Sequence, residues 1–194
     1  MSFLNPQSKE INCKIVYVGP PFSGKSTNLR SICSSVSRGQ NGSLVTLTEK
    51  EDRTLFFDFL PLSLGKIKGF NIRLHLYTVP GQTQFDASRK IILKGVDGVV
   101  FVADSQVDRL ENNLESWRNL RQLLAEVDSD FKTVPMVVQL NKRDLDPIVP
   151  VPEMTRALDG RQAPHLESIA TKGKGVMETL QVVARQVLRG LKKS

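Results

Sequence analysis

The residues Gly19-Pro20-Pro21-Phe22-Ser23-Gly24-Lys25-Ser26 spell G-x-x-x-x-G-K-S. Two glycines, a lysine and a hydroxyl at that spacing suit a polyphosphate. The glycines let the backbone bend until consecutive N–H groups point inward, and Lys25 sets a full charge against the outer phosphates. The Ser26 hydroxyl is a hard oxygen donor suited to Mg²⁺. Such a loop works only between a strand and a helix. The run from Ile11 to Val18 reads as the strand, and Ser26-Thr27-Asn28-Leu29-Arg30-Ser31-Ile32 opens the helix. The helix N-terminus adds its own partial positive charge. This context sets the loop apart from an ordinary glycine turn. Gly19, Pro21, Phe22, Ser23, Gly24, Lys25, Ser26 and Thr27 are therefore candidate nucleotide-binding residues.

A second motif, Asn141-Lys142-Arg143-Asp144, follows the apolar run Val134–Leu140. An aspartate there can accept two hydrogen bonds, from N1–H and the exocyclic amine of guanine. Adenine offers no donor at those positions and would leave the carboxylate unpaired. Sites that reject a ligand in this way reach roughly 10⁴–10⁵-fold discrimination. Asn141 would tie the base to the phosphate loop, and the Lys142 stem would cover the base.

The intervening segments alternate between strand-like and helix-like. Val99–Ala103 and Val134–Leu140 read as strands buried on both faces. Between them Leu110, Leu114, Trp117, Leu120, Leu124 and Val127 recur at helical spacing, as do Val176, Leu180, Val183, Val187 and Leu191 near the C-terminus. This pattern predicts an α/β fold with a mostly parallel central sheet flanked by helices in three layers, as one domain over residues 1–194. One region breaks the alternation. Ser43–Thr48, Gly65–Lys68 and Asn71–Tyr77 read as strands without helices between them, with a hairpin turning at Gly69.

Hydrophobic residues are 40% and charged residues 24% of the 194, an ordinary globular composition. No apolar run approaches the ~18 residues of a membrane helix. The N-terminus lacks a signal-peptide core, and neither terminus carries a lipidation motif, so a cytoplasmic protein without a covalent membrane anchor is expected. Cys13 and Cys33 suggest core thiols, and His75 and His165 match no ligand spacing. Net charge is +7, and the segment from Lys172 holds six basic residues against Glu178 alone. A solvated helix end explains most of that excess, with an acidic protein or anionic surface as the sharper option. Only 6% of residues are aromatic and no recognition motif accompanies the charge, which argues against nucleic acid.

The two motifs together resemble the small Ras-like GTPases, across essentially the whole chain. The resemblance implies a P-loop NTPase fold that binds GTP or GDP with Mg²⁺. It places Gly81 and Gln82 at the end of a D-x-x-G-Q motif, Gly81 sensing the γ-phosphate and Gln82 orienting the attacking water. Thr54 would join Ser26 on Mg²⁺, and Ser168 and Ala170 would form the last base-binding loop. Two departures narrow the family. Thr78 stands where D-x-x-G has its aspartate, and Arg53-Thr54-Leu55-Phe56-Phe57-Asp58-Phe59-Leu60-Pro61 replaces an ordinary switch I. Both are similar to the mutual gliding-motility (MglA) GTPases. That likeness implies that Arg53 is an intrinsic arginine finger and that a Roadblock-fold MglB-type activator positions it. It also implies polarity and motility or pilus effectors, with the GTP form concentrated at a cell pole. In this reading the aromatics of Phe56–Phe59 only pack a shifted strand.

Thr78 offers no carboxylate for a metal-bound water, so weak metal affinity is expected. Pro21 removes an N–H near the γ-phosphate. Both features support a rival, a GTP-dependent scaffold with little hydrolysis, against which Gln82 and Arg53 stand. A P-loop metabolite kinase is disfavoured by the guanine motif and by the lack of an arginine-rich lid.

Overall fold

The computed structural model describes residues 3–5, 9–36, 45–47, 57–67, 69–80, 86–158 and 163–190. Among the described residues eight strands form one sheet: β1 (Phe3–Asn5), β2 (Glu10–Val18), β3 (Val45–Leu47), β4 (Phe57–Ile67), β5 (Phe70–Thr78), β6 (Gly98–Asp104), β7 (Met136–Asn141) and β8 (His165–Glu167). Their order is β3-β4-β5-β2-β6-β7-β8, with β1 paired to the start of β2. Pairing is parallel from β5 across to β8 and antiparallel for β1, β3 and β4. The helices are α1 (Lys25–Val36), α2 (Asp86–Leu93), α3 (Leu110–Glu126), α4 (Val151–Ala157) and α5 (Val176–Gly190).

β6, β7 and the second half of β2 bury both faces because period-2 alternation divides their apolar residues between two layers. Cys13, Ile15 and Tyr17 of β2 pack with Val100, Val102 and Val137 beneath Leu29 and Ile32 of α1 and Val176, Leu180, Val183 and Val187 of α5. Val16, Val18, Val99, Phe101, Ala103, Met136, Val138 and Leu140 face the other way, against α2, α3 and α4. Each fully buried aliphatic side chain contributes about 1.5–3 kcal/mol. Trp117 belongs to this second layer, edge-on to Phe101 at 4.8 Å and to Phe131 at 5.2 Å. The helical stripes expected in α3 and α5 are buried or partly buried against these layers, apart from Leu191, which lies outside the described residues.

The hairpin turns at Gly69, whose φ of +84° suits glycine. Its first strand, however, is much longer than the four residues expected. β4 begins at Phe57 and runs through Pro61 and Gly65, pairing with β5 from Phe59 onward with one irregularity between Ser63 and Gly65. The described part of the segment expected in place of switch I, from Phe57 to Pro61, is therefore strand, and it carries Asp58 into the sheet.

Candidate functional site

The phosphate loop lies between β2 and α1 at the C-terminal edge of the sheet, where ligands of open α/β sheets bind. Its two glycines have separate reasons. At Gly19 a Cβ would run into the Val102 carbonyl, and at Gly24 into the Asn141 side-chain amide. Both also have positive φ, +145° and +101°. Lys25 is only 7% exposed, and its Nζ donates to the carbonyls of Gly19 at 2.9 Å and Pro20 at 2.7 Å. Ser26 and Thr27 follow in the first turn of α1, and Ser23 is fully buried. Pro21 is half-buried, whereas Phe22 is 82% exposed at φ +62°, an unusual setting for an aromatic residue.

The guanine motif begins on the last residue of β7. Asn141 ties three segments together. Its Nδ2 donates to the Ser23 carbonyl at 2.8 Å, while its Oδ1 accepts from Ser168 Oγ and from the Ala170 N–H, each at 3.0 Å. The phosphate loop and both base loops are thus held to one side chain. Lys142 has φ +65°, and its Nζ bonds Asp104 Oδ2 at 2.6 Å. Asp144 pairs with Lys172 at 3.1 Å. Lys172 remains exposed, as a solvated basic surface implies, and sets its charge beside part of the base motif.

Two contributors belong to neither motif. Asp104, 1% exposed at the end of β6, anchors Lys142 and is itself fixed by Asn113, whose Oδ1 accepts from the Asp104 N–H at 2.9 Å. Its position at the carboxyl end of a buried strand is the one sequence signal that points to it. Asp58 is the more consequential. It is 5% exposed, its N–H donates to Thr78 Oγ1 at 2.8 Å, and Thr78 Oγ1 donates to Asp58 Oδ2 at 3.0 Å. The aromatics of the Phe56–Phe59 run are expected from sequence to serve packing alone. Phe57 and Phe59 do pack against Tyr77, but Asp58 between them turns inward and restores a carboxylate beside the threonine that lacks one.

Asp58 acts on Lys25 across the site. Burial first and the Arg89 charge of α2 second bring the Lys25 ammonium down to about 7, with the Asp58 charge opposing both. Arg53, Thr54, Gly81 and Gln82 lie outside the described residues. No helix among the described residues is long and apolar enough to cross a membrane.

A mostly parallel sheet with a phosphate loop after β2 and a guanine motif after β7 defines a Ras-like small GTPase. The model of the ADP-ribosylation factor family matches residues 2–192. The chain is 58% identical over 193 residues to the mutual gliding-motility protein MglA of Myxococcus xanthus, covering 100% of this chain and 99% of that one. It is 22% identical over 181 residues to the Ras-related protein Rab-5B of Plasmodium falciparum, covering 93% and 80% of the two chains. With the Ypt/Rab-type GTPase ypt7 of Schizosaccharomyces pombe it shares 27% identity over 124 residues, 62% of this chain and 60% of the other. The chain belongs to the ADP-ribosylation factor family of Ras-like small GTPases, in its MglA branch. It binds GTP and hydrolyses it.

Proposed function

We propose that this GTPase cycles between GTP and GDP forms to control cell polarity and surface motility or pilus systems, concentrating at a cell pole when GTP is bound. The full-length likeness to a mutual gliding-motility protein supports the biological role. The observation that carries the switch itself is the Asn141 clamp, which makes one rigid seat for phosphates and base. In this seat the loop from Gly19 to Thr27 wraps the phosphates, Lys25 meets their outer charge, and Asp144 reads the guanine edge. Ser168 and Ala170 close the base pocket, and Lys142, fixed by Asp104, covers the base with its stem. Gly81 and Thr54 report the γ-phosphate to the surface that effectors read. A Roadblock-fold activator of the MglB type and polarity effectors are the partners of this reading. Its basic C-terminal segment would meet an acidic protein or an anionic surface.

Asp144→Asn should weaken GTP binding severely and transfer preference toward xanthosine triphosphate, because an amide cannot accept both guanine donors. Competition titrations with GTP, ATP and xanthosine triphosphate check this. An undiminished preference for GTP would remove Asp144 from the base site.

The residues present fit Mg²⁺: a serine hydroxyl at the helix start, a threonine from the switch segment and a buried carboxylate form a hard-oxygen set. Ser26 and Thr54 would hold the ion, which when bound neutralises charge on the phosphates. Asp58, aligned by Thr78, would accept hydrogen bonds from the ion's hydration shell. The Asp58 carboxylate thus takes the part expected to be missing at Thr78. Asp58→Asn should raise the Mg²⁺ concentration needed to retain GDP by about ten-fold, the loss of one charge-assisted hydrogen bond. Release of fluorescent GDP across a Mg²⁺ titration measures it. An unchanged midpoint would leave Asp58 a purely structural partner of Thr78.

A further inference from the structure

Below the Asn141 clamp the fold contains a second polar junction. Asn28 of α1, Gln139 of β7 and Thr179 of α5 are each fully buried. Gln139 Nε2 donates to Asn28 Oδ1 and to Thr179 Oγ1, each at 3.0 Å. Asn28 Nδ2 in turn donates to the Gly24 carbonyl at 3.0 Å, and Thr179 Oγ1 to the Gly175 carbonyl at 2.6 Å. The junction therefore touches the last loop glycine before Lys25 on one side and the turn that opens α5 on the other. That turn is close-packed on the base loop, since a Cβ at Gly175 would collide with the Glu167 carbonyl.

Strand periodicity gives the junction its meaning. Val137, Gln139 and Asn141 lie on the same face of β7, two residues apart. Val137 belongs to the apolar layer under α1 and α5, and an apolar residue at 139 would continue it. Instead the layer holds three polar side chains, and Gln139 Oε1 accepts no hydrogen bond among the described residues. A buried carbonyl without a donor is a net cost, so stability alone does not account for this choice. A directional junction fixes geometry in a way that apolar contacts, which slide, do not.

We propose that Gln139 is a positioning residue that sets the distance between the phosphate loop and the base-reading loops. With Asn141 it forms a two-level brace: Asn141 holds the loops at the nucleotide, and Gln139 holds α1, β7 and α5 one layer beneath. The nucleotide then meets a phosphate seat and a base seat already at the right separation. Without the lower brace the two seats shift relative to each other, and a ligand spanning both loses fit at one end. This proposal rests on the base-site reading above, and the experiment separates the two.

The test uses Gln139→Leu and the double variant Gln139→Leu/Asn28→Leu, in which both partners are apolar and no new unpaired group is buried. In the double variant Gly24 O keeps the main-chain N–H of position 28 at 3.0 Å. The readouts are thermal stability, release of fluorescent GDP, and the ratio of GDP to inosine diphosphate affinities, since inosine lacks the exocyclic amine. Gln139→Leu should release GDP about ten-fold faster and lose most of the GDP preference. The double variant should regain stability but not the preference. Thr179→Val, which keeps its volume, should show a smaller shift in the same direction and carries the test if Gln139→Leu does not fold. Unchanged release and preference in the folded variants would overturn the proposal. So would a double variant that recovers preference together with stability. Asp144→Asn run alongside identifies the base site: loss there with none at Gln139 rejects the brace and leaves the base reading intact.

Discussion

Lys25→Ala is expected to take nucleotide affinity below detection. In the structure the ammonium is buried and donates to the Gly19 and Pro20 carbonyls, so it is already aimed along the loop. Phosphate oxygens would replace or join those acceptors. Two charge-assisted hydrogen bonds at about 1.5–3 kcal/mol each amount to roughly a 10²–10⁴-fold loss. Fluorescent GDP titration measures it, and tight binding by the variant would defeat the phosphate-loop assignment. The same lysine makes a pH prediction. Burial and Arg89 hold it near 7 against the partial opposition of Asp58. Above pH 7 the nucleotide-free protein therefore carries mostly neutral Lys25, and phosphates bind the charged form. Binding then takes up a proton, and affinity falls by up to about ten-fold per pH unit above 7. Below pH 7 both states are protonated at Lys25 and this dependence disappears. Calorimetry in buffers of different ionisation enthalpy should find proton uptake at pH 8 and almost none at pH 6. Equal uptake at both would mean that Lys25 is charged before nucleotide arrives.

The parts of this molecule that are legible in sequence are those whose chemistry is written in consecutive residues. The loop from Gly19 to Ser26 and the tetrad from Asn141 to Asp144 are contiguous, and each follows an apolar strand whose burial is forced by composition. The stripes of α3 and α5 are legible because apolar residues recurring every three or four positions gather on one side of a helix and would scatter over both faces of a strand. What is not legible depends on pairing between strands. Asp58 stands in an aromatic run, and its partner Thr78 is twenty positions away on β5; only the β4–β5 pairing brings them together. The strand that carries Asp58 is itself foreshortened when read from sequence. Pro61 and Gly65 depress strand propensity, and the pairing with β5 overrides them. Gln139 reads as a polar interruption of a hydrophobic strand until Asn28 and Thr179 are seen on either side. In each case a polar residue within an apolar run is the signal that local patterns pass over.

Arg53→Ala should lose most of the activator-stimulated hydrolysis while keeping GTP affinity. In the proposed reading Lys25, the loop amides and the Asn141 clamp supply binding, and all lie on the β2–α1–β7 framework. Hydrolysis also needs a water oriented in line with the γ-phosphate and further positive charge as that group departs. Those tasks fall in the family resemblance to Gln82 and Arg53, from the segments after β5 and before β4. An arginine supplied at that moment accelerates small GTPases about 10³–10⁵-fold over an intrinsic rate on the order of 10⁻⁴–10⁻² s⁻¹. Because the contact is made chiefly in the transition state, its removal lowers turnover and leaves ground-state binding nearly intact. Gln82→Leu should give the same GTP-loaded, slowly hydrolysing protein by failing to hold the water. Phosphate release by stopped flow, with and without a Roadblock-fold activator, measures both variants against the unmutated chain. Full stimulation of Arg53→Ala would mean that the charge comes from the activator. No stimulation of the unmutated chain would instead place it among GTP-dependent scaffolds, with Pro21 as the first residue to replace by glycine.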